Sequence, residues 1–459
     1  SSMLFHTWTF LIFFVVAWCG YLLLRKTPLA TGWLLAASYF FYGCWSPLFL
    51  LLVVYSTAVD YTAVWLMART RMRTFWLVLS LVNNLGLLSL FKYADFAVEN
   101  LNLLLRGIGL ESSFELPGIL LPVGISFYTF QSMSYTIDFY RGRIPLEPNL
   151  VRFAAYVALF PQLVAGPIER ADSLLPQLKQ KTQPRWADFA EGLSLFEIGL
   201  FKKLALANYL AMYVDPIYAD PERASGLALI VGTVAFSWQI YFDFSGYTDM
   251  ARGVARFFGF RLMVNFRHPY LAQGLSDFWS RWHISLSQWF RDYVYIPLGG
   301  NRVGSNRLAF NLLITFVLSG IWHGAAWTFV VWGLWHGLGM VGARRLEESK
   351  VWKHVPAVVK RLCVYVFVCV GWIFFRAESM DDVFIIFSRM LRFAGEIQLP
   401  PIWMVALLTV VWGYQFLIES RWVRFITQPV FAIPMAVVMV LYLCLLGGDE
   451  AQPFIYFQF

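Results

Sequence analysis

Residues 311–345 read NLLITFVLSGIWHGAAWTFVVWGLWHGLGMVGARR, and the first Lys, Arg, Asp or Glu in this stretch is Arg344. A helix needs about 20 consecutive apolar residues to cross the hydrocarbon core of a bilayer. The stretch is long enough for a span, which we assign to residues 309–341. Its apolar character is continuous, whereas the strands of a membrane barrel alternate apolar and polar residues. We therefore expect it to be helical.

The whole chain of 459 residues has the composition of an all-α polytopic membrane protein. Hydrophobic residues make up 59% of it and charged residues only 14%, whereas a soluble domain carries about 25% charged residues. The apolar runs predict about ten or eleven transmembrane helices. They lie near 4–24, 30–45, 47–67, 74–92, 151–168, 191–214, 225–247, 309–341, 357–376, 401–419 and 428–447. We expect a single transmembrane domain over residues 3–459, with residues 1–2 an expression remnant ahead of it.

The formal net charge of +8 does not indicate a nucleic-acid partner. The basic residues fall mostly in short clusters between apolar runs, where they act as topology signals and favour the cytoplasmic side of the lipid bilayer. The residues at 25–26 and 69–73 form two such clusters, which puts the start of the chain outside the cytoplasm. The segment 170–185 is the best later candidate for a cytoplasmic loop.

Two segments break the simple pattern of apolar spans. Residues 121–142 combine apolar side chains with Pro, Gly and many hydroxyls. Polar or irregular backbone at membrane depth is tolerated only inside the protein or beside an aqueous cavity, so we expect a re-entrant or cavity-lining segment. Residues 278–302 carry Trp at helical spacings together with Arg and Asp. This pattern predicts an amphipathic helix near a membrane interface.

His323 is the ionisable residue with the most suggestive setting. It lies deep in the 309–341 run, with Gly324 after it and Gly320 three residues before it. Such a residue is costly in hydrocarbon and by default faces the bundle interior or an aqueous path. A neutral histidine hydrogen-bonded between helices is the structural alternative. The adjacent glycine favours function, because it lets a ligand or another backbone come close.

Two further histidines, His283 and His336, are candidates for the same region. His336 repeats the Trp-His-Gly triplet of His323, but on one continuous helix the two rings would differ by about 220°. They could not then bind one metal together, and no Cys or carboxylate lies at ligand spacing. We expect neither a metal nor a bound cofactor. His283 could lie at the mouth of a tunnel or in ordinary aromatic packing.

Two carboxylates follow each other in DFSGYTDM, residues 243–250. Asp243, Ser245 and Asp249 could cap a polar helix end, or could form the polar wall of a cavity and hydrogen-bond a histidine. The chain contains no P-loop and no nucleophile elbow. The residues alone therefore predict a membrane protein with an intramembrane histidine and leave the type of reaction open.

Seven segments resemble the membrane-bound O-acyltransferase family, and most closely its bacterial branch of alginate O-acetylation membrane proteins. They follow the family's order over most of the chain: LPVGISFYTFQSMSYTIDFYRG (121–142), FPQLVAGPI (160–168), YFDFSGYTDMARG (241–253), NFRHPY (265–270), FWSRWHISLSQWFRDYVYIPLGGNR (278–302), GIWHGAAWTFVVWGLWHG (320–337) and GWIFFRAES (371–379). The ending FIYFQF (454–459) also looks like those of this branch.

The resemblance implies a ring of helices around a thinned centre, with a tunnel joining cytoplasmic and extracytoplasmic funnels. His323 matches the family's essential histidine, which implies a general base, and His283 matches a second histidine in a supporting role. Trp322, beside His323, and His336 are further candidates for the tunnel wall. The unperturbed imidazole pKa of about 6.5 suits a base near neutral pH.

The resemblance also implies the reaction. Acetyl-CoA would donate an acetyl group from the cytoplasm, and an extracytoplasmic hydroxyl would accept it for O-acetylation of an exopolysaccharide such as alginate. The expected partner is a periplasmic acetyltransferase, and the expected location is the bacterial inner membrane. Lys202 and Lys203, or the loop 170–185, could bind the donor's phosphates.

Three alternatives remain open. The first is D-alanyl or other acyl transfer from a carrier protein to a cell-wall polymer. The second is a polysaccharide transporter or export channel, which would move substrate without covalent transfer. The third is a structural scaffold for a wall-synthesis complex.

Overall fold

A computed structural model describes residues 3–111, 113–180, 182–446 and 452–457 of the chain. The chain is 74% helical, and these described residues contain no strand. The predicted all-α class is confirmed. Backbone amides in hydrocarbon have no water to bind, and a helix satisfies them within one segment.

The described part of the chain forms 22 α-helices. Their bounds are α1 (Trp8–Leu24), α2 (Ala30–Gly43), α3 (Pro47–Arg69), α4 (Arg73–Leu88), α5 (Ala94–Gly107), α6 (Ile125–Tyr140), α7 (Leu150–Ala158), α8 (Phe160–Leu163), α9 (Ala171–Lys179), α10 (Trp186–Phe201), α11 (Asn208–Ala219), α12 (Gly226–Phe257), α13 (Leu275–Trp279), α14 (Ile284–Phe290), α15 (Ser305–His323), α16 (Trp327–Glu347), α17 (Lys350–His354), α18 (Ala357–Arg376), α19 (Met380–Leu391), α20 (Ile402–Glu419), α21 (Val423–Ile426) and α22 (Pro429–Leu446). Wider π-helical turns occupy Ser89–Tyr93, Lys202–Ala207 and Arg291–Tyr295.

Among the described residues, five helical stretches are long and apolar enough to cross a membrane. They are Pro47–Arg69, Arg73–Gly107, Gly226–Phe257, Ala357–Arg376 and Ile402–Glu419. The apolar helices Trp8–Leu24 and Pro429–Leu445 are shorter. These stretches make the chain a multi-pass membrane protein. The predicted number of spans and the central tunnel stay predictions.

Contacts group the chain into two compact units. The first comprises Ser1–Phe196 and Thr248–Met263, and the second comprises Glu197–Tyr247 and Val264–Phe459. Helix α12 passes through the boundary, so its residues belong to both units. The single domain expected over 3–459 stays a prediction.

The apolar run 309–341 is two helices and not one span. Helix α15 ends at His323, and α16 begins at Trp327 after an extended backbone at Gly324. The two helices pair antiparallel and very closely. A Cβ on Gly320 would lie 2.2 Å from the carbonyl oxygen of Phe329, and one on Gly333 would lie 2.3 Å from that of Phe316. The comparison of His323 and His336 on one helix therefore does not apply.

Two other predicted runs also differ from the observed helices. The run 151–168 is divided between α7 and α8, because the backbone of Leu159 leaves the helical region. The run 225–247 is longer than predicted, since α12 continues to Phe257. In both cases hydropathy located apolar residues but not the turn of the backbone.

The segment 121–142 forms the regular helix α6 inside the first unit, where almost all of its side chains are buried. Its polar residues bind neighbouring helices. Ser132 donates to the buried carboxylate of Asp60, which also accepts from Ser80 at 2.7 Å and from Asn84 at 2.9 Å. These donors offset the cost of burying the carboxylate. Residues 125–140 of this segment are thus protein interior with a helical backbone.

Glu169 is a buried carboxyl group in the connection between α8 and α9, outside the candidate spans. Its Oε1 accepts a hydrogen bond of 2.6 Å from the Met263 amide, and burial raises its pKa to about 7. Because folding raises this pKa, the carboxyl group contributes fully to the free energy of unfolding below the pKa of the unfolded chain. That contribution is lost as pH rises through about 7.

We therefore expect the Tm of the purified protein to decrease as pH is raised from about 5 to about 8. The decrease corresponds to a loss of a few kcal/mol in the free energy of unfolding. Glu169→Gln keeps the acceptor for Met263 and cannot ionise, so its Tm should change less over this range. Thermal unfolding in detergent at several pH values measures the difference. Equal slopes for wild type and variant would contradict the assignment.

Candidate active site

The ring of His323 is buried at the last residue of α15. Its Nδ1 lies 2.6 Å from the carbonyl oxygen of Ser319, one turn earlier on the same helix. A carbonyl only accepts, so Nδ1 carries the proton and donates it. The lone pair is therefore on Nε2, which makes Nε2 the atom that can take a proton from a substrate.

Aromatic rings enclose His323 on several sides. The distances from its ring centroid are 4.8 Å to Trp332, 5.0 Å to Trp322, 5.5 Å to Phe375 and 5.9 Å to Tyr456. We call these four rings the aromatic box. Rings at these distances limit rotation of the imidazole and exclude bulk water, which strengthens electrostatic interactions inside the box.

His283 is buried beside the box, and its ring centroid lies 6.3 Å from that of His323. It precedes α14 with a left-handed φ of 42°, an unusual backbone conformation for a residue other than glycine. The segment 278–302 is therefore broken at His283, and the single amphipathic helix expected there is wrong. The ring of His283 packs 4.6 Å from Phe244 in the interior, and its possible position at a tunnel mouth stays a prediction.

Asn265 fixes the turn that carries His283. Its main-chain carbonyl accepts from the Ile284 amide at 3.0 Å, and its side-chain Oδ1 accepts from the amide of Ser285 at 3.0 Å and its hydroxyl at 2.9 Å. These bonds join the motifs NFRHPY and WHIS, which are separate in the sequence. The strained backbone of His283 is thus held by both segments.

His336 does not meet His323. It lies buried on α16, and the ring of Trp332 stands between the two, 4.8 Å from His323 and 5.0 Å from His336. Neither ring nitrogen of His336 has a hydrogen-bond partner among the described residues. Those residues also contain no group of three His, Cys, Asp or Glu side chains that could hold a metal ion.

Asp243 lies inside α12, so the helix end expected there is wrong. Its Oδ1 is 2.5 Å from Nζ of Lys203, and its Oδ2 accepts a 2.6 Å hydrogen bond from the amide of Ile455. Ser245 accepts from Lys202 at 2.9 Å. Both lysines lie on the π-helical turn after α10, a type of irregularity that is frequent at functional sites. Both lysines thus bind side chains of helix α12, Lys202 the hydroxyl of Ser245 and Lys203 the carboxylate of Asp243.

Asp249 is not grouped with Asp243. It belongs to the first unit, where it lies 3.8 Å from Arg252 on the same helix. A spacing of six residues turns two side chains to different directions on a helix. Of the three polar candidates in this motif, Asp243 and Ser245 lie in the second unit with the histidines, and Asp249 does not.

Tyr456 is a member of the site that sequence reasoning did not assign. Its ring centroid lies 4.3 Å from Phe244, 5.9 Å from His323 and 6.0 Å from His283. The neighbouring Phe454 stacks on Tyr247 at 4.6 Å. The aromatic run FIYF was the only local signal, and it does not indicate which distant residues it contacts.

A cavity of about 380 Å³ lies beside the box, and we call it the polar cavity. Charged and amide side chains contribute much of its wall, together with the phenyl ring of Phe375. It is lined by Lys203, Ala207, Asn208, Ala211, Asp215, Gln239, Asp243, Ala326, Thr328, Phe329, Phe375, Arg376, Ala377, Glu378, Gln452, Pro453 and Ile455.

A second cavity of about 790 Å³ has three arginines in its wall, and we call it the arginine cavity. These are Arg267, Arg291 and Arg344, and the carboxylates of Glu347 and Glu348 also belong to the wall. In the α15–α16 hairpin, the last residue of α15 that lines the arginine cavity is Ser319. The first residue of the hairpin that lines the polar cavity is Ala326. His323 lies between these two positions in the chain. His323 touches a residue of each cavity wall, because its Nδ1 bonds the carbonyl of Ser319 in the arginine cavity and its ring centroid lies 5.5 Å from that of Phe375 in the polar cavity.

Comparison with known proteins identifies the family of this chain. The model of the membrane-bound O-acyltransferase family matches residues 143–376, which include both His283 and His323. A probable alginate O-acetylase of Azotobacter vinelandii is 39% identical, over 95% of this chain and 88% of its own length. A peptidoglycan O-acetyltransferase of Helicobacter pylori is 35% identical, over 86% and 80%. A teichoic acid D-alanyltransferase of Bacillus subtilis is 30% identical, over 56% and 69%.

The names of these relatives all describe acyl transfer, and they differ in the acyl group and the acceptor. The family match and the extent of the similarity make this chain an acyltransferase. It is a multi-pass membrane enzyme that belongs to the membrane-bound O-acyltransferase family.

Proposed function

We propose that the protein is an O-acetyltransferase that moves an acetyl group from cytoplasmic acetyl-CoA to an extracytoplasmic hydroxyl. The observation that carries this proposal is that His323 contacts one wall residue of each cavity, Ser319 of the arginine cavity and Phe375 of the polar cavity. An acyl group could pass from a donor in one cavity to an acceptor in the other, while the carrier stays on its own side. O-acetylation of an exopolysaccharide such as alginate is the pathway that the similarity to alginate O-acetylases supports.

The arginine cavity is the proposed donor site. Guanidinium groups bind phosphate through paired, charge-assisted hydrogen bonds, and coenzyme A carries several phosphates. The chain after Arg344 is also basic, since Arg345, Lys350, Lys353 and Lys360 follow within a short stretch. Basic loops favour the cytoplasmic side. The arginine cavity would then open to the cytoplasm of a bacterial inner membrane.

His323 would act as the general base. Its Nε2 takes the proton of the acceptor hydroxyl as that oxygen attacks the carbonyl carbon of the thioester. The new C–O bond forms, the C–S bond breaks, and the proton from His323 leaves with the coenzyme A thiolate. The ring centroid of His283 lies 6.3 Å from that of His323. His283 would support the reaction by hydrogen-bonding the oxyanion that forms on the carbonyl.

The polar cavity is the proposed acceptor site. Its wall carries Asp215, Asp243 and Glu378 against Lys203 and Arg376, so it offers no excess of positive charge to a polyanionic chain. We propose that a periplasmic acetyltransferase partner presents the accepting hydroxyl and then modifies the polysaccharide. Transfer of D-alanine from a carrier protein is the second candidate, because of the similarity to a teichoic acid D-alanyltransferase.

The proposal is tested with purified protein in vesicles and acetyl-CoA labelled in the acetyl group. Release of coenzyme A together with label on an acceptor hydroxyl is the expected result. A D-alanyl carrier protein offered in parallel separates the two acyl donors. Label that crosses the membrane without becoming covalently attached would support a transporter and contradict the proposal.

Neutralising the arginine cavity should weaken donor binding. We expect Arg344→Gln to raise the KM for acetyl-CoA by about tenfold or more, the effect of losing a charged hydrogen bond to phosphate, with kcat little changed. Arg223→Gln is the matched control, since Arg223 is exposed in the same unit and pairs with Asp220. Steady-state kinetics measure both. An unchanged KM in Arg344→Gln would remove this cavity as the donor site.

A further inference from the structure

The ion pair between Lys203 and Asp243 is almost completely buried, with side-chain exposures of 5% and 4%. Burying two charges costs several kcal/mol per ion, and their attraction repays this only when further hydrogen bonds complete the arrangement. Here the further bonds go to one short stretch, residues 452–457.

Both members of the pair bind the main chain of this stretch. Asp243 accepts the Ile455 amide at 2.6 Å, and Lys203 donates to the carbonyl oxygen of Pro453 at 3.3 Å. A carboxylate that accepts a main-chain N–H makes a charge-assisted bond, which is stronger than a neutral one. The two bonds lie two residues apart, so they fix both the position and the direction of the backbone.

The next residue, Tyr456, then reaches the histidines. Its ring completes the aromatic box 5.9 Å from His323 and lies 6.0 Å from His283. The main chain that places this ring is held by Lys203 and Asp243. The same pair lines the polar cavity together with Gln452, Pro453 and Ile455. Stretch 452–457 is therefore a wall of both the box and the cavity.

We propose that Lys203 and Asp243 are a positioning pair, which holds residues 452–457 so that Tyr456 closes the box and keeps His323 in its reactive orientation. The proposal rests on the proposed function, in which His323 is the base. Loss of the pair releases the stretch, opens the box to water and lets the imidazole rotate. The donor site is lined by other residues and stays intact.

The experiment combines hydrogen–deuterium exchange with kinetics on the full-length protein. In Asp243→Ala we expect the Ile455 amide to exchange about tenfold faster or more, because its acceptor is gone. We expect kcat to fall by about 10²-fold, as for a misplaced catalytic group, with an unchanged KM for acetyl-CoA. Asp243→Asn keeps only one of the two oxygen acceptors that Lys203 and Ile455 use, so protection of Ile455 and kcat should be recovered in part.

Two control variants test whether the effect on Ile455 exchange is specific to the Lys203–Asp243 pair. Asp215→Ala removes another carboxylate from the polar cavity, one that pairs with Arg376, and should leave Ile455 exchange unchanged. His323→Ala should stop turnover while Ile455 stays protected. If wild type transfers no acyl group, the proposed function fails, whereas the exchange data still decide whether the pair holds the stretch.

A second variant covers the case in which Asp243→Ala leaves a lone buried lysine and does not fold. Lys203→Met with Asp243→Leu replaces the pair by apolar side chains of similar size, a change that folded proteins often tolerate. It should also expose the Ile455 amide and lower kcat. Wild-type protection of Ile455 in the folded variants, or a loss of kcat with the stretch still protected, would overturn the proposal.

Discussion

Replacing His323 by alanine is expected to lower kcat for acyl transfer by about 10²–10⁴-fold, the usual contribution of general acid–base catalysis. The reason is the fixed tautomer. Because Nδ1 donates to the Ser319 carbonyl, Nε2 holds the lone pair in a box from which bulk water is excluded. No other described imidazole both contacts all four rings of the box and binds the main chain of α15.

Initial-rate measurements with labelled acetyl-CoA check this expectation, with the KM for the donor expected to stay close to that of wild type. His354→Ala is the matched control. His354 also bonds the carbonyl four residues before it, at 2.7 Å, but its side chain is exposed on α17. A folded His323→Ala protein that retains turnover within about threefold of wild type would exclude His323 as the base.

Replacing Gly320 or Gly333 by alanine is expected to disrupt the hairpin that carries the site. The added Cβ would come within 2.2 or 2.3 Å of a main-chain carbonyl oxygen of the facing helix, and a backbone atom cannot move aside as a flexible side chain can. Overpacking of this kind costs about 1–3 kcal/mol or more. We expect a lower Tm and a loss of turnover, because α15 ends at His323 and a displaced helix moves the base.

Gly342→Ala on the same helix α16 is the control for these variants. A Cβ there meets no atom within 4 Å, so the substitution should leave Tm unchanged or raise it slightly through helix propensity. Thermal unfolding and turnover, measured in one detergent for all three variants, give the comparison. If Gly320→Ala and Gly333→Ala behave like Gly342→Ala, the close contact between α15 and α16 does not support the site.

Most residues of the candidate site could be identified from sequence, but the contacts that bring them together could not. His323 was found because an ionisable residue within a long apolar run is a local signal. His283 was found through its motif, yet its burial beside His323 depends on the left-handed turn that Asn265 holds from another segment. For Tyr456 the aromatic run FIYF was a signal without a role, because that role follows only from contacts with residues far away in the chain.

Hydropathy by itself determined that this protein is helical and crosses a membrane several times, because these properties follow from apolar runs of sufficient length. The acyltransferase activity followed from the resemblance of its motifs to a known family and not from composition. Tertiary structure alone decided where the runs break, as at Gly324, and that Asp243 binds Ile455, 212 positions away. The physical reason is that burial in lipid depends on local composition, whereas a break or a buried ion pair depends on which distant helix supplies the partner.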